Sequence, residues 1–214
     1  MIYKTLLVVF LTIATIVLPV YFFWYRPKFE ISKAGAYKVR PETNSKVLIK
    51  LKGKVFELNE FIKGKKYNSK TCFLADMSIE SGRNRFFVYD MEKDSILLSG
   101  LVAHGSCDDG FRTDAAFSNK VNSGCSSLGR YRIGGRYKGR FGVSYKLQGL
   151  DSTNSNAFQR SVVLHPYECV PEQETYPIPI CNSRGCPMVS PGFMEKLKPI
   201  INSSTKPILL WVFN

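Results

Sequence analysis

The chain has 214 residues, with 30 Lys/Arg, 17 Asp/Glu and 2 His, giving a net charge of +13 at pH 7. That length allows one domain or two small ones around a proper hydrophobic core, which excludes a mini-scaffold leaning on disulfides alone. The charge is uneven: residues 26–70 carry 13 Lys/Arg against 4 Asp/Glu, and residues 71–214 carry 16 against 13. The basic excess suits an anionic lipid surface or polymer, and equally a solvated linker and a lysine-rich helix face.

Ahead of it, Thr5–Tyr25 has no charge across 21 residues, about the length of a helix that spans a bilayer. Tyr21, Trp24 and Tyr25 stand at its far end, where amphipathic rings favour the headgroup zone. Residues 1–26 are therefore expected to be a membrane anchor with a single N-terminal transmembrane helix. A cleaved signal peptide is the alternative, although the nearest small-x-small site, Ala34-Gly35-Ala36, lies well past the apolar run. The positive-inside rule, read from Arg26, Lys28, Lys33, Lys38 and Arg40, places the remainder in the cytoplasm. Six cysteines argue for an oxidising compartment instead.

Residues 27–70 read as a basic stalk with a short amphipathic helix around Val55–Ile62. Three short apolar or aromatic runs follow, at 71–78, 84–91 and 95–105, each bounded by turn signals and read as a strand. Residues 106–127 are polar and without period, a loop of a length that is uncommon unless it serves function. In residues 128–150, Gly134, Gly135, Gly139 and Gly142 would serve the turns and bulges of a hairpin. Its arginines and glycines are not read as a nucleic-acid segment, because no stacking platform of a known module accompanies them. Residues 160–166 are another strand. Ser190 and Pro191 read as N-cap and first residue of a helix to about Asn202, and 206–214 as the last strand. The expected class is mainly β, a β-rich α+β domain covering residues 71–214.

The chain's two histidines, His104 and His165, each close an apolar strand just before a turn residue, Gly105 and Pro166. Downstream, "SRGCPMV" sets Cys186 between Gly185 and Pro187. A cysteine attacks as its thiolate, and a nearby imidazole can take the proton. Gly185 lets backbone approach a substrate closely, and the amides leading into Cys186 could donate to a developing oxyanion. Two other readings stand beside this one. His165, Cys169, Cys181 and Cys186 form H-x3-C-x11-C-x4-C, a passable zinc set. All six cysteines could instead form a disulfide framework.

Five fragments carry a resemblance: "VAHG" (102–105), "FSN" (117–119), "SSLGRYRIGGRYKGRFGVSYKLQGLD" (126–151), "RSVVLH" (160–165) and "SRGCP" (183–187). Their order resembles that of the murein L,D-transpeptidase catalytic-domain family. The resemblance implies a sandwich- or barrel-like β fold with one or two short helices. It makes Cys186 the nucleophile, His165 its general base, and the Gly185 and Cys186 amides the oxyanion hole. His104, Ser183, Arg184 and Tyr131 would contact substrate. The substrate implied is a peptidoglycan tetrapeptide stem, cleaved before its terminal D-alanine through a thioester and passed to an amine, or to water. No metal or organic cofactor is needed. The implied partners are peptide stems and, through the anchor, the lipid bilayer; nucleic acid is not among them. The implied place is the cell envelope, anchored in the cytoplasmic membrane with the domain outside. With Cys186 reserved, the pairings expected are Cys107–Cys125 and Cys169–Cys181, leaving Cys72 as a small buried hydrophobe. The pattern departs from many relatives at Arg184, where they have histidine, and at Pro166, where they have glycine. It departs again beyond the cysteine, where Pro187 and Met188 replace a usual arginine or asparagine.

Overall fold

The structure, a computed structural model, describes residues 2–21 and 41–214 and divides into two compact units, Met1–Pro41 and Glu42–Asn214. In the first, α1 (Ile2–Pro19) is an 18-residue helix, about 27 Å at 1.5 Å per residue. Leu6, Leu7, Phe10, Ile13, Val17 and Leu18 on it are exposed. Among the described residues no helix is long and apolar enough to cross a membrane. The expected transmembrane helix is therefore not found; the end of its span, with Trp24 and Tyr25, lies outside the described residues, as does the stretch 27–40.

The second unit opens on α2 (Pro41–Ile62), 22 residues long rather than the short helix expected around Val55–Ile62. Leu51, Val55, Leu58 and Ile62 recur at helical spacing and are buried. The lysines between them break the apolar pattern in the sequence but stand off that face. Lys50 Nζ is 2.9 Å from Asp76 Oδ1, and Lys54 Nζ lies 4.5 Å from the Trp211 ring centre. The helix itself carries four lysines against three glutamates, so most of the basic excess of residues 26–70 lies on either side of it. The helix stops where Gly64 takes φ +69 and Lys65 N–H returns to the Ile62 carbonyl at 2.9 Å.

Strands β1 (Thr71–Asp76), β2 (Phe86–Asp90), β3 (Ser95–Gly100), β4 (Val102–Ala103), β5 (Gly129–Gly139), β6 (Gly142–Gly149), β7 (Val163–Pro166), β8 (Met188–Val189) and β9 (Leu209–Phe213) form one sheet. Their order is β3-β2-β1-β9-β5-β6-β7-β8-β4. Its central strands are buried on both faces. Phe73, Phe86, Val88, Leu210 and Val212 point into one core, with Phe193 and Leu197 of α3 (Pro191–Ser203). The alternate residues Cys72, Leu74, Phe87, Tyr89 and Leu209 pack with Leu51, Val55 and Leu58 of α2. This two-sided burial is why these strands read as continuous apolar runs. Cys72 is the small buried hydrophobe expected, its thiol pushed up to about 12 by burial.

Beyond β5 the sheet turns toward shorter strands. The β5–β6 hairpin carries an irregularity between Ile133 and Arg136, at the Gly134-Gly135 pair, and turns through Gly142 at φ +81. The two-residue strands β4 and β8 are too short to show a period in the sequence. Helix α3 starts on Ser190, whose Oγ accepts from Phe193 N–H at 3.2 Å. That hydroxyl donates to Glu172 Oε2 at 2.7 Å, while Glu172 Oε1 accepts Gly192 N–H at 2.6 Å. Both expected disulfides are present, Cys107–Cys125 and Cys169–Cys181, with Cys72 and Cys186 free.

Because Leu58 is fully buried between α2 and the sheet, Leu58→Ala should cost about 2–5 kcal/mol. A urea titration should show the midpoint falling at unchanged slope; an unchanged midpoint would mean α2 does not contribute to the core.

Candidate active site

His165 is the third residue of β7, which runs parallel to β8 with His165 opposite Met188 and Pro166 opposite Val189. Cys186 lies two residues before that pairing. Backbone hydrogen bonds tie the two segments: His165 N–H to the Pro187 carbonyl at 3.4 Å and Tyr167 N–H to the Val189 carbonyl at 2.9 Å. The thiol and the imidazole therefore sit on neighbouring chain segments. Each hydrogen-bonds elsewhere: Cys186 Sγ donates to the Ser161 carbonyl at 3.9 Å, and His165 Nδ1 lies 3.1 Å from the Pro166 carbonyl. Since a carbonyl only accepts, Nδ1 carries the proton and Nε2 keeps its lone pair.

His165 is 3% exposed, and the Phe141 ring stacks on it with centres 4.4 Å apart. Phe141 comes from the turn between β5 and β6, and Tyr167 meets its edge at 5.5 Å. Burial pushes the His165 pKa down; the Pro166 carbonyl opposes this and Arg140 adds to it. Burial likewise pushes the Cys186 thiol up, against a hydrogen bond from the Val163 backbone and the charge of Arg160. At neutral pH both groups are neutral, a thiol and an imidazole on neighbouring segments rather than a preformed ion pair.

The loop before Cys186 is fixed by close contacts. Gly185 has φ +105, and a Cβ there would stand 2.6 Å from the Cys125 carbonyl oxygen. Its N–H donates to Ser183 Oγ at 3.1 Å. Ser183 is buried and held by its backbone: its N–H donates to the His104 carbonyl at 2.8 Å and its carbonyl accepts Ser106 N–H at 2.9 Å. Arg184 is open to solvent and pairs with Asp108 at 3.2 Å.

Besides Ser183, two more residues expected to contact substrate are buried. His104 is 0% exposed. Its Nδ1 accepts from Arg85 Nη2 at 2.8 Å, and Asn182 Nδ2 lies 3.2 Å from its Nε2. Burial, then the charge of Arg85, pushes its pKa down to about 4. Tyr131 is a core residue whose hydroxyl donates to the Ser127 carbonyl at 2.8 Å, and burial raises its pKa to about 12. The Cys169–Cys181 disulfide uses two of the four residues of the zinc set built on His165, so that set cannot hold the metal. The residues that sequence reasoning passed over are Phe141, Arg140 and Arg160. A charged residue opening the strand that ends in His165 was the available signal for Arg160. For the other two it was a bulky pair in a glycine turn. A cavity of about 780 Å³ lined by Lys65, Lys66, Arg132 and Lys206 contains none of these residues.

The L,D-transpeptidase catalytic domain family matches residues 32–211. The chain belongs to the L,D-transpeptidase family. No curated protein matches it. Solved structures similar to it include a mutant L,D-transpeptidase of Enterococcus faecium, with 13% identity over 67% of this chain and 50% of that one, at a TM-score of 0.40. An L,D-transpeptidase from Mycobacterium smegmatis gives 12%, 68%, 59% and 0.41 for the same quantities. The helical cell shape determining protein Pgp2 from Campylobacter jejuni gives 12%, 66%, 46% and 0.43. The chain spans about half the length of the first of these relatives.

The two histidines should separate in an NMR titration of the imidazole signals. His104 should stay neutral down to about pH 4. Phe141→Ala should admit water to His165, so that its midpoint moves up toward the ordinary value near 6.5. A His165 midpoint that stays put or falls would mean that Phe141 is not what shields it.

Proposed function

We propose that this chain is a cysteine L,D-transpeptidase of peptidoglycan, with Cys186 as nucleophile and His165 as its base. The observation that carries the reading is the His165 tautomer. Its Nδ1–H is held by the Pro166 carbonyl, leaving the Nε2 lone pair free beside the segment that bears a free, half-buried thiol. A neutral thiol and a neutral imidazole call for proton transfer during attack, the situation in which general-base help counts most.

The donor is a tetrapeptide stem. As Cys186 Sγ forms its bond to the carbonyl carbon before the terminal D-alanine, the thiol proton passes to His165 Nε2. The tetrahedral oxyanion is met by the backbone amides of the loop. The Gly185 amide is engaged by Ser183 Oγ, so the Cys186 amide carries this role until substrate draws Gly185 away. Collapse breaks the carbon–nitrogen bond, and His165 returns its proton to the departing D-alanine amine. An acceptor amine then gives its proton to His165, attacks the thioester and regenerates the thiol, leaving a cross-link; water in that place leaves a trimmed stem. The His104–Arg85–Asn182 cluster supports the reading from behind, since the His104 carbonyl anchors Ser183 at the head of the loop.

We place this activity in the cell envelope with Thr5–Tyr25 as the anchor. The support is the uncharged run of the sequence alone. The whole chain should stay with membranes after alkaline extraction and be released once residues 1–26 are deleted; release of the whole chain would rule out the anchor.

Incubated with purified tetrapeptide stems, the full chain should gain the mass of the stem less D-alanine, and Cys186→Ala should gain nothing. His165→Ala should slow adduct formation about 10²–10⁴-fold. A folded protein with a free Cys186 that forms no adduct and releases no D-alanine would favour a non-catalytic wall-binding module with structural cysteines.

A further inference from the structure

Arg160 stands on the turn that leads into β7, next to Ser161, whose carbonyl accepts the Cys186 thiol. Its side chain is a clamp. Nη1 donates to the Ser118 carbonyl at 2.8 Å and to Ser127 Oγ, and Nη2 donates to the Cys125 carbonyl. All three acceptors are neutral oxygens, in or just beyond the segment closed by the Cys107–Cys125 disulfide. Gly185 rests on the same carbonyl. A Cβ on it would stand 2.6 Å from Cys125 O and 3.0 Å from Arg160 Nη2. Ser126 Oγ, which also accepts Gly105 N–H at 3.0 Å, reaches the Gly185 carbonyl at 3.5 Å. The guanidinium thus holds the bed on which the loop lies and sets an unneutralised charge beside it.

We propose that Arg160 is the positioning residue of the Cys186 loop. It fixes the Cys125–Ser127 segment against Gly185 and supplies the standing positive charge that favours the thiolate. This rests on the reading of Cys186 as nucleophile, but its consequence is a property of the thiol that needs no substrate. Among the described residues, the groups whose charge acts on the thiol are Arg160 and Tyr131 from β5; His165 stands on the neighbouring β7 segment, and Arg184 in the loop itself pairs with Asp108. Tyr131 and His165 are neutral at pH 7, which leaves Arg160 as the fixed charge. The planar fork serves three acceptors at once, which a single ammonium cannot do with the same geometry.

Alkylation of the full chain with iodoacetamide across the pH range, followed on the Cys186 peptide by mass spectrometry, reads the thiolate directly. Cys72 is fully buried and should not react in the folded protein. Arg160→Met should move the alkylation midpoint up by about one pH unit, so that the rate at pH 7 falls about tenfold. Arg160→Gln keeps a donor without the charge and should behave alike, whereas Arg160→Lys should return the midpoint close to that of the parent. Circular dichroism establishes which variants are folded. Folded Met and Gln variants with the parent midpoint would overturn the proposal, whatever their melting temperatures. So would unfolding of both, because Arg160 would then hold the fold rather than the loop. A parent that alkylates as expected but never forms an acyl-enzyme would sink the transpeptidase reading and leave Arg160's effect on the thiol intact.

Discussion

The contact on which the site depends is the one between Gly185 and the carbonyl of Cys125. A side chain at residue 185 would have to occupy the space of that oxygen, at a φ that L-residues rarely adopt. With glycine there, the loop lies flat on the 125–127 segment. The same segment is tied to residue 107 by a disulfide and to the turn before β7 by Arg160. The loop that bears Cys186 and the strand that carries His165 are thus referenced to one piece of backbone. This explains how residues in a polar, turn-rich stretch without period can hold a site. Their order comes from side-chain and disulfide ties, not from a strand ladder.

The electrostatics follow from how little water reaches this region. Burial is the first cause of both shifts, down for His165 and up for Cys186, so both groups are driven toward their neutral forms. In the proposed chemistry the low dielectric also strengthens each dipole aimed at charge developing in the transition state. Phe141 is part of this arrangement: it covers the imidazole from the tip of the β5–β6 hairpin, so the glycine-rich turn that sets the hairpin also sets the solvation of His165.

The sequence was most legible where burial is two-sided. The runs at 71–78, 84–91 and 206–214 became β1, β2 and β9, because apolar side chains on both faces leave nothing to interrupt the run. The α3 start was legible because Ser190-Pro191 is local chemistry, satisfied by its own turn, with Glu172 arriving from elsewhere in the chain. The helix from 41 to 54 was not, since its lysines gain their meaning from Asp76, Trp211 and Phe213, far along the chain. β4 and β8 have two residues each and exist through pairing alone. At the site, Cys186 and Gly185 could be read from the tetrad around them. Tyr131 could not be placed, because alternation says that a residue faces one side of a strand but not which side is wet.

His104 and His165 stood at equivalent strand ends in the sequence, and what separates them is the partner on Nδ1. At His104 that nitrogen faces the guanidinium of buried Arg85, which can only donate, so the ring must accept there. With Nδ1 accepting, the neutral ring carries its one proton on Nε2, 3.2 Å from the Asn182 amide nitrogen, and the Asn182 oxygen is taken by Arg112 N–H at 2.6 Å. A second ring proton has no acceptor to meet, and an imidazole so placed serves as an acceptor for a buried cation, not as a base. At His165 the partner of Nδ1 is a carbonyl, which can only accept. That single reversal puts the proton on Nδ1 and the lone pair on Nε2, on the strand beside the thiol. Strand-end position brings a histidine to the rim of a sheet, but the direction of one hydrogen bond decides whether it can take a proton there.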